Sequence, residues 1–392
     1  MANAFTSTTN LSTIPPGFNL LLKPSRNQGE LPDPFLKAAG QRISTQTEWP
    51  AQAQAWRDLI MDLGYGGLPP EPDGIQIETL CHGTTRNLPG GPKILSYRIH
   101  CLGGQIPFSF CVQLICPKSE APLPAIISGD GCWRYVTDEV IGQVLASGCA
   151  LVLFNRTELA EDLGYAGVPD KNQRTGGLYD VFPGGNFGAV SAWAWGYHRC
   201  VDLLMELPFI DHHRLAVTGH SRGSKTALVA GATDVRIALI NDNASGAGGS
   251  ATFRYVGDGG ETLEILKAFP SWFGTGLHPF LGREQDIPYD QHCLLATIAP
   301  RPLLLTYALE DRWSNPEGMV QSVRAAGEVY RFLGAPENLA FHLRAGDHEH
   351  APDDWNVFLE FLSWHWFQTP PTTAFNVHPY HELKPAFSWK AP

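Results

Sequence analysis

No stretch of the sequence approaches the ~18 consecutive apolar residues that a membrane span requires, which excludes insertion in a bilayer. The opening "MANAFTSTTNLSTIPPGF" lacks the basic n-region and the apolar h-region of a secretory leader. Either the protein acts inside the cell or the numbering begins after a removed leader. Basic charge is scarce: 28 Lys and Arg stand against 39 Asp and Glu, for a net charge of −11. No basic stripe is present to displace counterions from phosphates, so nucleic acid is excluded as a partner. The eight cysteines (81, 101, 111, 116, 132, 149, 200, 293) form no CxxC pair, which argues against a zinc site. Cys149 and Cys200 lie in apolar stretches where a thiol behaves as a small hydrophobe, while the even count leaves disulfides open. There is no internal repeat, no low-complexity tract and no charged tail.

What is present is a chain of 392 residues, 43% hydrophobic and 17% charged, long enough to bury a large core. Residues 1–40 are rich in Pro, Asn, Ser and Thr, and "PSRNQGELPDPF" reads as loop, so this part is expected to wrap the surface of one α/β domain with insertions over 41–392. "ILSYRIHCL" and "IPFSFCVQLICP" have strand composition and are broken by a GG, which predicts an antiparallel pair at a sheet edge. "LPAIISGDG" and "CALVLFN" are continuous apolar runs closed by turn residues, as in strands covered on both faces. "GAVSAWAWGYHRCVDLLMEL" has helical apolar spacing, with Trp193 and Trp195 as core, and Trp364 and Trp366 read the same way. Then "RLAVTGH", "RIALINDN", "RPLLLTYAL" and "NLAFHLRAG" follow as strands separated by helices. This alternation predicts a mostly parallel sheet with helices on both faces, a three-layer α/β sandwich.

The segment "RLAVTGHSRGSKTAL" contains Gly219-His220-Ser221-Arg222-Gly223, a G-x-S-x-G that follows a strand and opens a helix, the context of a nucleophile elbow. Flanking glycines leave room for a strained serine, and the helix N-terminus presents N–H groups to a developing oxyanion. The plainer alternative is Ser221 as an ordinary N-cap. A serine needs a base and an acid, here in the order Ser, Asp/Glu, His. "RPLLLTYALEDRW" offers Asp311, with Glu310 as the alternative, and "NLAFHLRAGDHEH" offers His348, with His350 as the alternative. An H-x-H pair can also ligate zinc, but no third ligand cluster lies near the other strand ends. Neither a metal nor another cofactor is expected.

Several motifs in order carry a resemblance over roughly residues 90–366: "GHSRGSK", "SGAGGS", "GETLEILKAFPSWF", "GREQDIPYDQHCLLATIAPRPLLL", "EDRWSNPEG", and "GDHEH" followed by "FLEFLSWHW". Together they resemble the glucuronoyl esterases of carbohydrate esterase family 15, which have an α/β-hydrolase fold and cleave esters between glucuronic acid on xylan and lignin alcohols. The resemblance implies Ser221 as nucleophile, His348 as base and Arg222 as oxyanion stabiliser through side chain and backbone N–H. It implies that Lys225 holds sugar hydroxyls and that Glu261 and Trp313 complete a uronate pocket. The bland alternatives are a solvated helix face for Arg222 and Lys225, a surface carboxylate for Glu261 and core packing for Trp313.

The residues agree with that implication physically. In a uronate ester the attacked carbonyl is the sugar's own C6, so a hydroxylated ring must be oriented beside the serine. Arg222 and Lys225, one and four residues past Ser221, are expected to point to the pocket rim.

Two departures stand out. Many fungal members have Cys before the nucleophile and a different spacing after the arginine, where this chain has His220 and Gly223-Ser224. They also place the acid in "ESGAGG", whereas here "NASGAGG" puts Ala244 at that position. The triad must then be completed elsewhere, by Asp311 or Glu310, and the D-x-W of Asp311 and Trp313 looks like the bacterial arrangement. The resulting expectation is a monomeric, secreted or periplasmic esterase acting on glucuronic acid esters of glucuronoxylan. Another hydrolase of the same fold, acting on peptide or lipid, is the first alternative, although "SGDGCW" supplies no HGGG-like oxyanion loop. A non-catalytic carbohydrate-binding protein is the second.

Overall fold

The computed structural model describes residues 26–88, 90–132, 136–163 and 172–392. Residues 1–25 of the expected N-terminal wrap, and Trp133 of "SGDGCW", lie outside them. In chain order the elements are β1 (Arg26–Asn27), α1 (Trp49–Ile60), β2 (Gly74–Thr84), β3 (Lys93–Leu102), β4 (Phe108–Cys116), β5 (Leu123–Ser128), α2 (Asp138–Ala146) and β6 (Ala150–Phe154). They continue with α3 (Leu178–Val181), α4 (Ala189–Met205), β7 (Ile210–His220), α5 (Arg222–Thr233), β8 (Leu239–Asn243), β9 (Tyr255–Val256), α6 (Ile265–Ala268) and α7 (Gln291–Ile298). The last four are β10 (Leu303–Ala308), α8 (Pro316–Phe332), β11 (Leu339–Arg344) and α9 (Pro352–Phe367).

Nine strands form one sheet in the order β11-β10-β8-β7-β5-β6-β4-β3-β2. From β6 through β5 to β11 every pairing is parallel, and β2, β3 and β4 extend the β6 edge antiparallel. The parallel strands are apolar on both faces because helices cover both. In β5, Ala125 and Ile127 belong to a core shared with α4, α5, α7 and α8, whereas Ile126 faces a second core with α2 and α9. This is the three-layer α/β sandwich that the alternation predicts and the α/β-hydrolase fold that the resemblance implies. Trp193 and Trp195 are fully buried on α4, and Trp364 and Trp366 pack half-buried against the second core.

The antiparallel β3–β4 pair lies near the sheet edge as expected, but β2 is the outermost strand and had no recognisable pattern. From Glu78 to Thr84 all its residues are exposed, so neither face imposes an apolar alternation. The described part of the wrap is pinned to the C-terminal tail: Leu31 N–H donates to Ala386 O at 2.8 Å, and the Trp389 indole donates to Leu31 O at 2.7 Å. All eight cysteines are free thiols. Among the described residues, no helix is long and apolar enough to cross a membrane.

Two features of this topology create the site. β6 and β7 lie on opposite sides of β5, so the connections after β5 and β7 diverge and open a crevice at the strands' carboxyl ends. The parallel strands also end nearly level, with His220 beside Asn243 and Ala308 beside Arg344. Residues just past these ends therefore converge.

Candidate active site

Immediately after β7, Ser221 takes φ 57° and ψ −122°, a conformation that a non-glycine residue holds at a cost of about 1–3 kcal/mol. It is held on both sides. Ser221 N–H donates to Asn243 O at 2.9 Å, and its own carbonyl accepts from Ser224 N and Lys225 N at 2.9 and 3.1 Å. The glycines supply room: a Cβ on Gly219 would stand 2.4 Å from Gly223 O, and one on Gly223 would stand 2.0 Å from Asp130 Oδ1. The Ser221 side chain makes no capping hydrogen bond to α5, so the N-cap alternative does not describe it. Beneath the turn, buried Asp242 accepts from the hydroxyls of Ser224 and Ser250, and Asn243 N–H donates to Ser224 Oγ at 2.7 Å. Burial raises the Asp242 pKa against those hydrogen bonds.

The loops after β10 and β11 bring an acid and a histidine together. His348 Nδ1 lies 2.7 Å from Asp311 Oδ2. Asp311 is 4% exposed and also accepts from the hydroxyl and the N–H of Ser314. The structure places the two alternatives elsewhere. Exposed Glu310 accepts the Gly346 N–H, bracing the loop that carries His348. The His350 ring stacks on Trp355 at 4.8 Å and on His220 at 6.0 Å. His220, the residue before the serine, also packs against His348 with ring centroids 4.5 Å apart, which brings the His348 loop to the elbow.

Arg222, the first residue of α5, is neither solvated nor aimed outward. Its Nη1 lies 3.2 and 3.1 Å from the two oxygens of Asp162, and its guanidinium sits over the Trp272 ring at 4.6 Å. The helix start leaves its backbone N–H without an intrahelical partner.

Lys225 departs from the expectation that it reaches the rim. It is 2% exposed, and Nζ donates to Ser245 O, to Ala247 O at 2.7 Å and to Glu261 Oε2 at 3.1 Å, which uses all three ammonium hydrogens. Its position one turn into α5 points it under the 245–247 loop rather than over it. Glu261 is likewise buried, at 3% exposure, and accepts Ala247 N–H at 2.8 Å. Burial lowers the Lys225 pKa and raises that of Glu261, while the ion pair between them opposes both shifts. Trp313, half-buried, holds Glu261 through its backbone, accepting the Glu261 N–H at 2.8 Å.

A strained serine, a paired histidine and aspartate at neighbouring strand ends, and a half-buried arginine at the helix start form the constellation of an acyl-transferring hydrolase. The profile of the family described as "Glucuronyl esterase, fungi" matches residues 99–334. The 4-O-methyl-glucuronoyl methylesterase 1 of Wolfiporia cocos is 30% identical over 341 residues, covering 83% of this chain and 78% of its own. The chain belongs to the glucuronoyl esterase family. Carbohydrate esterase MZ0003, from an unknown prokaryotic organism, is 40% identical over 197 residues, or 46% of this chain and 45% of that protein. The family 15 glucuronoyl esterase of Caldicellulosiruptor kristjansonii superposes with a TM-score of 0.78 at 29% identity, covering 93% of this chain and 98% of that one.

Within this glucuronoyl esterase, the position of the fungal acid holds Ala244, buried and at φ 53°. The Ala244 carbonyl accepts from Ser314 Oγ at 3.3 Å, and the same hydroxyl lies 3.1 Å from His348 Nδ1. Ala244, just after β8, and Asp311, after β10, thus both meet Ser314 beside the His348 imidazole. Sequence reasoning missed Asp130 and Asp162, which carry no local signal because their partners lie far away in the chain, and Ser314, which was in reach because it stands in "EDRWSNPEG" three residues from Asp311. Trp272 was in reach, since it lies in the "FPSWF" motif. Among the described residues, no group of three or more His, Cys, Asp or Glu is arranged to hold a metal.

Proposed function

We propose that this chain hydrolyses esters of 4-O-methyl-glucuronic acid with an alcohol, the chemistry named for its curated relatives, through a covalent acyl-enzyme. The observation that carries the proposal is the strained Ser221 set beside the His348–Asp311 pair. Ser221 Oγ attacks the C6 carbonyl and gives its proton to His348 Nε2, whose imidazolium Asp311 stabilises through Nδ1. The carbonyl electrons move to oxygen, where the Arg222 guanidinium and backbone N–H meet the charge. Collapse breaks the bond to the alcohol oxygen, which takes the proton from His348. Water then attacks the acyl-enzyme, passing a proton to His348, and the second collapse frees the uronic acid and returns the proton to Ser221.

The hydroxylated ring is received by Glu261 and Trp313, and Lys225 serves it from below by fixing Glu261 and the 245–247 loop. Every group in this scheme comes from one copy of the chain, so a monomer suffices, and a polymeric substrate places the activity outside the cytoplasm.

Initial rates on benzyl glucuronate and on p-nitrophenyl acetate, for the native chain and Ser221→Ala, test the reading. Strong turnover of the uronate ester, lost in the variant, is expected. Equal rates from both proteins would refute the role of Ser221. Serine-dependent turnover of the acetate alone would refute the substrate and favour a general esterase.

A further inference from the structure

The segment after β6 contributes a carboxylate to the site that the family chemistry does not require in any obvious way. Asp162 is 7% exposed and reaches three groups. Both of its oxygens accept from Arg222 Nη1, at 3.2 and 3.1 Å. Its Oδ1 accepts the Trp272 indole N–H at 3.0 Å, and its Oδ2 lies 3.8 Å from Nη2 of fully buried Arg156. Arg156 in turn donates to Asp130 Oδ1, and Asp130 Oδ2 accepts the His220 N–H at 2.7 Å, one residue before the nucleophile. A chain of alternating charge therefore runs from the strand end that carries Ser221 to the guanidinium beside it.

The geometry constrains Arg222 from two directions. An arginine side chain is long and loses much rotamer freedom when it is fixed. Asp162 holds one edge of the guanidinium, and the Trp272 face, itself locked by the same carboxylate and stacked on Phe269 at 3.8 Å, holds its plane. A donor fixed before the reaction stabilises developing charge without reorganising, which is what separates transition-state from ground-state stabilisation.

We propose that Asp162 is a positioning residue, which through Arg222 and Trp272 aims the guanidinium at the oxyanion. This rests on the oxyanion role of Arg222 given above. Its loss then lowers kcat and leaves KM nearly unchanged, because the ester carbonyl of the bound substrate carries little of the charge that Arg222 meets.

The test compares Asp162→Asn, Arg222→Ala and the double variant on benzyl glucuronate, with each rate expressed per active site titrated by a phosphonate ester, so that misfolded protein does not count. Asp162→Asn keeps an acceptor for the Trp272 indole and removes only the charge. The expected result is a fall in kcat of about tenfold with KM within about twofold, against a fall on the order of 10²–10³ for Arg222→Ala. The double variant should be no slower than Arg222→Ala alone, since Asp162 has nothing left to aim. Asp162→Asn with native kcat, or effects of the two substitutions that multiply independently, would overturn the role of Asp162. A kcat unchanged in Arg222→Ala would instead overturn the oxyanion reading beneath it. If Asp162→Asn yields no titratable sites, Asp162→Glu, which keeps the charge at a longer reach, is measured in the same way. A rise in KM at constant kcat in that variant would also overturn the proposal.

Discussion

Replacing Asp311 by Asn leaves the shape of the site almost intact and removes the charge 2.7 Å from His348 Nδ1. A hydrogen bond to a charged group is worth about 1.5–3 kcal/mol, which at 1.36 kcal/mol per tenfold change corresponds to a loss of about 10- to 150-fold in kcat. The loss grows further if the new amide presents its NH2 group to Nδ1. That arrangement puts the ring proton on Nε2, the nitrogen that must accept from Ser221, and the deficit then approaches about 10⁴. In this orientation the amide oxygen sits at Oδ1 and keeps the Ser314 N–H, while the Ser314 hydroxyl, which donates to Oδ2 in the native site, turns to accept from the new NH2. The matching control is Glu310→Gln. Glu310 is exposed and accepts the Gly346 N–H, so a neutral acceptor there changes kcat by about twofold at most. The assay is steady-state hydrolysis of benzyl glucuronate at neutral pH, with unfolding temperatures measured in parallel. A nearly native kcat in Asp311→Asn with a large loss in Glu310→Gln would refute the assignment of the acid.

Three further outcomes follow from the same coordinates. Because Ala244 and Asp311 both meet Ser314 beside the His348 imidazole, Ala244→Glu added to Asp311→Asn should recover kcat on the order of tenfold by returning a carboxylate to that corner; no recovery in a folded double variant refutes it. Lys225→Met leaves Glu261 buried without its counter-charge and should cost about 3–5 kcal/mol in urea unfolding, whereas Lys225→Met with Glu261→Gln should be milder; a double variant less stable than Lys225→Met would refute the pairing. Burial pushes His292 from 6.5 down to about 4, with its ring bonded to Pro32 O at 2.8 Å. The folded state then binds fewer protons than the unfolded one, so this contribution is complete above pH 6.5 and is lost as the pH falls towards 4, by up to about 3 kcal/mol. The unfolding temperature of the native chain should therefore fall more steeply over that window than that of His292→Gln, and parallel profiles would refute it.

The architecture and the strand–serine–helix turn at Ser221 are both written locally in the sequence. Continuous apolar runs at β5 and β6 signal strands covered on both faces, and two glycines around a serine between strand and helix signal a turn too tight for side chains; both patterns are local and survive without neighbours. Ser221, Asp311 and His348 were legible because each follows a strand end, and strand ends in a parallel sheet lie level. The edge strand β2 was not, since only Ile75 and Ile77 pack on the core and Glu78 to Thr84 are exposed, which leaves too short an apolar alternation to mark a strand. That His348 meets Asp311 while Glu310 turns to Gly346 and His350 to Trp355 is visible in the tertiary structure alone, because neighbouring residues on one loop differ only in which way they face. The tertiary structure also turned Lys225 inward, where three acceptors from the 245–247 loop and Glu261 surround its ammonium, and it supplied Asp162. Those partners stand 20 to 60 residues away along the chain, and a charge buried by such distant groups leaves no mark on the residues beside it.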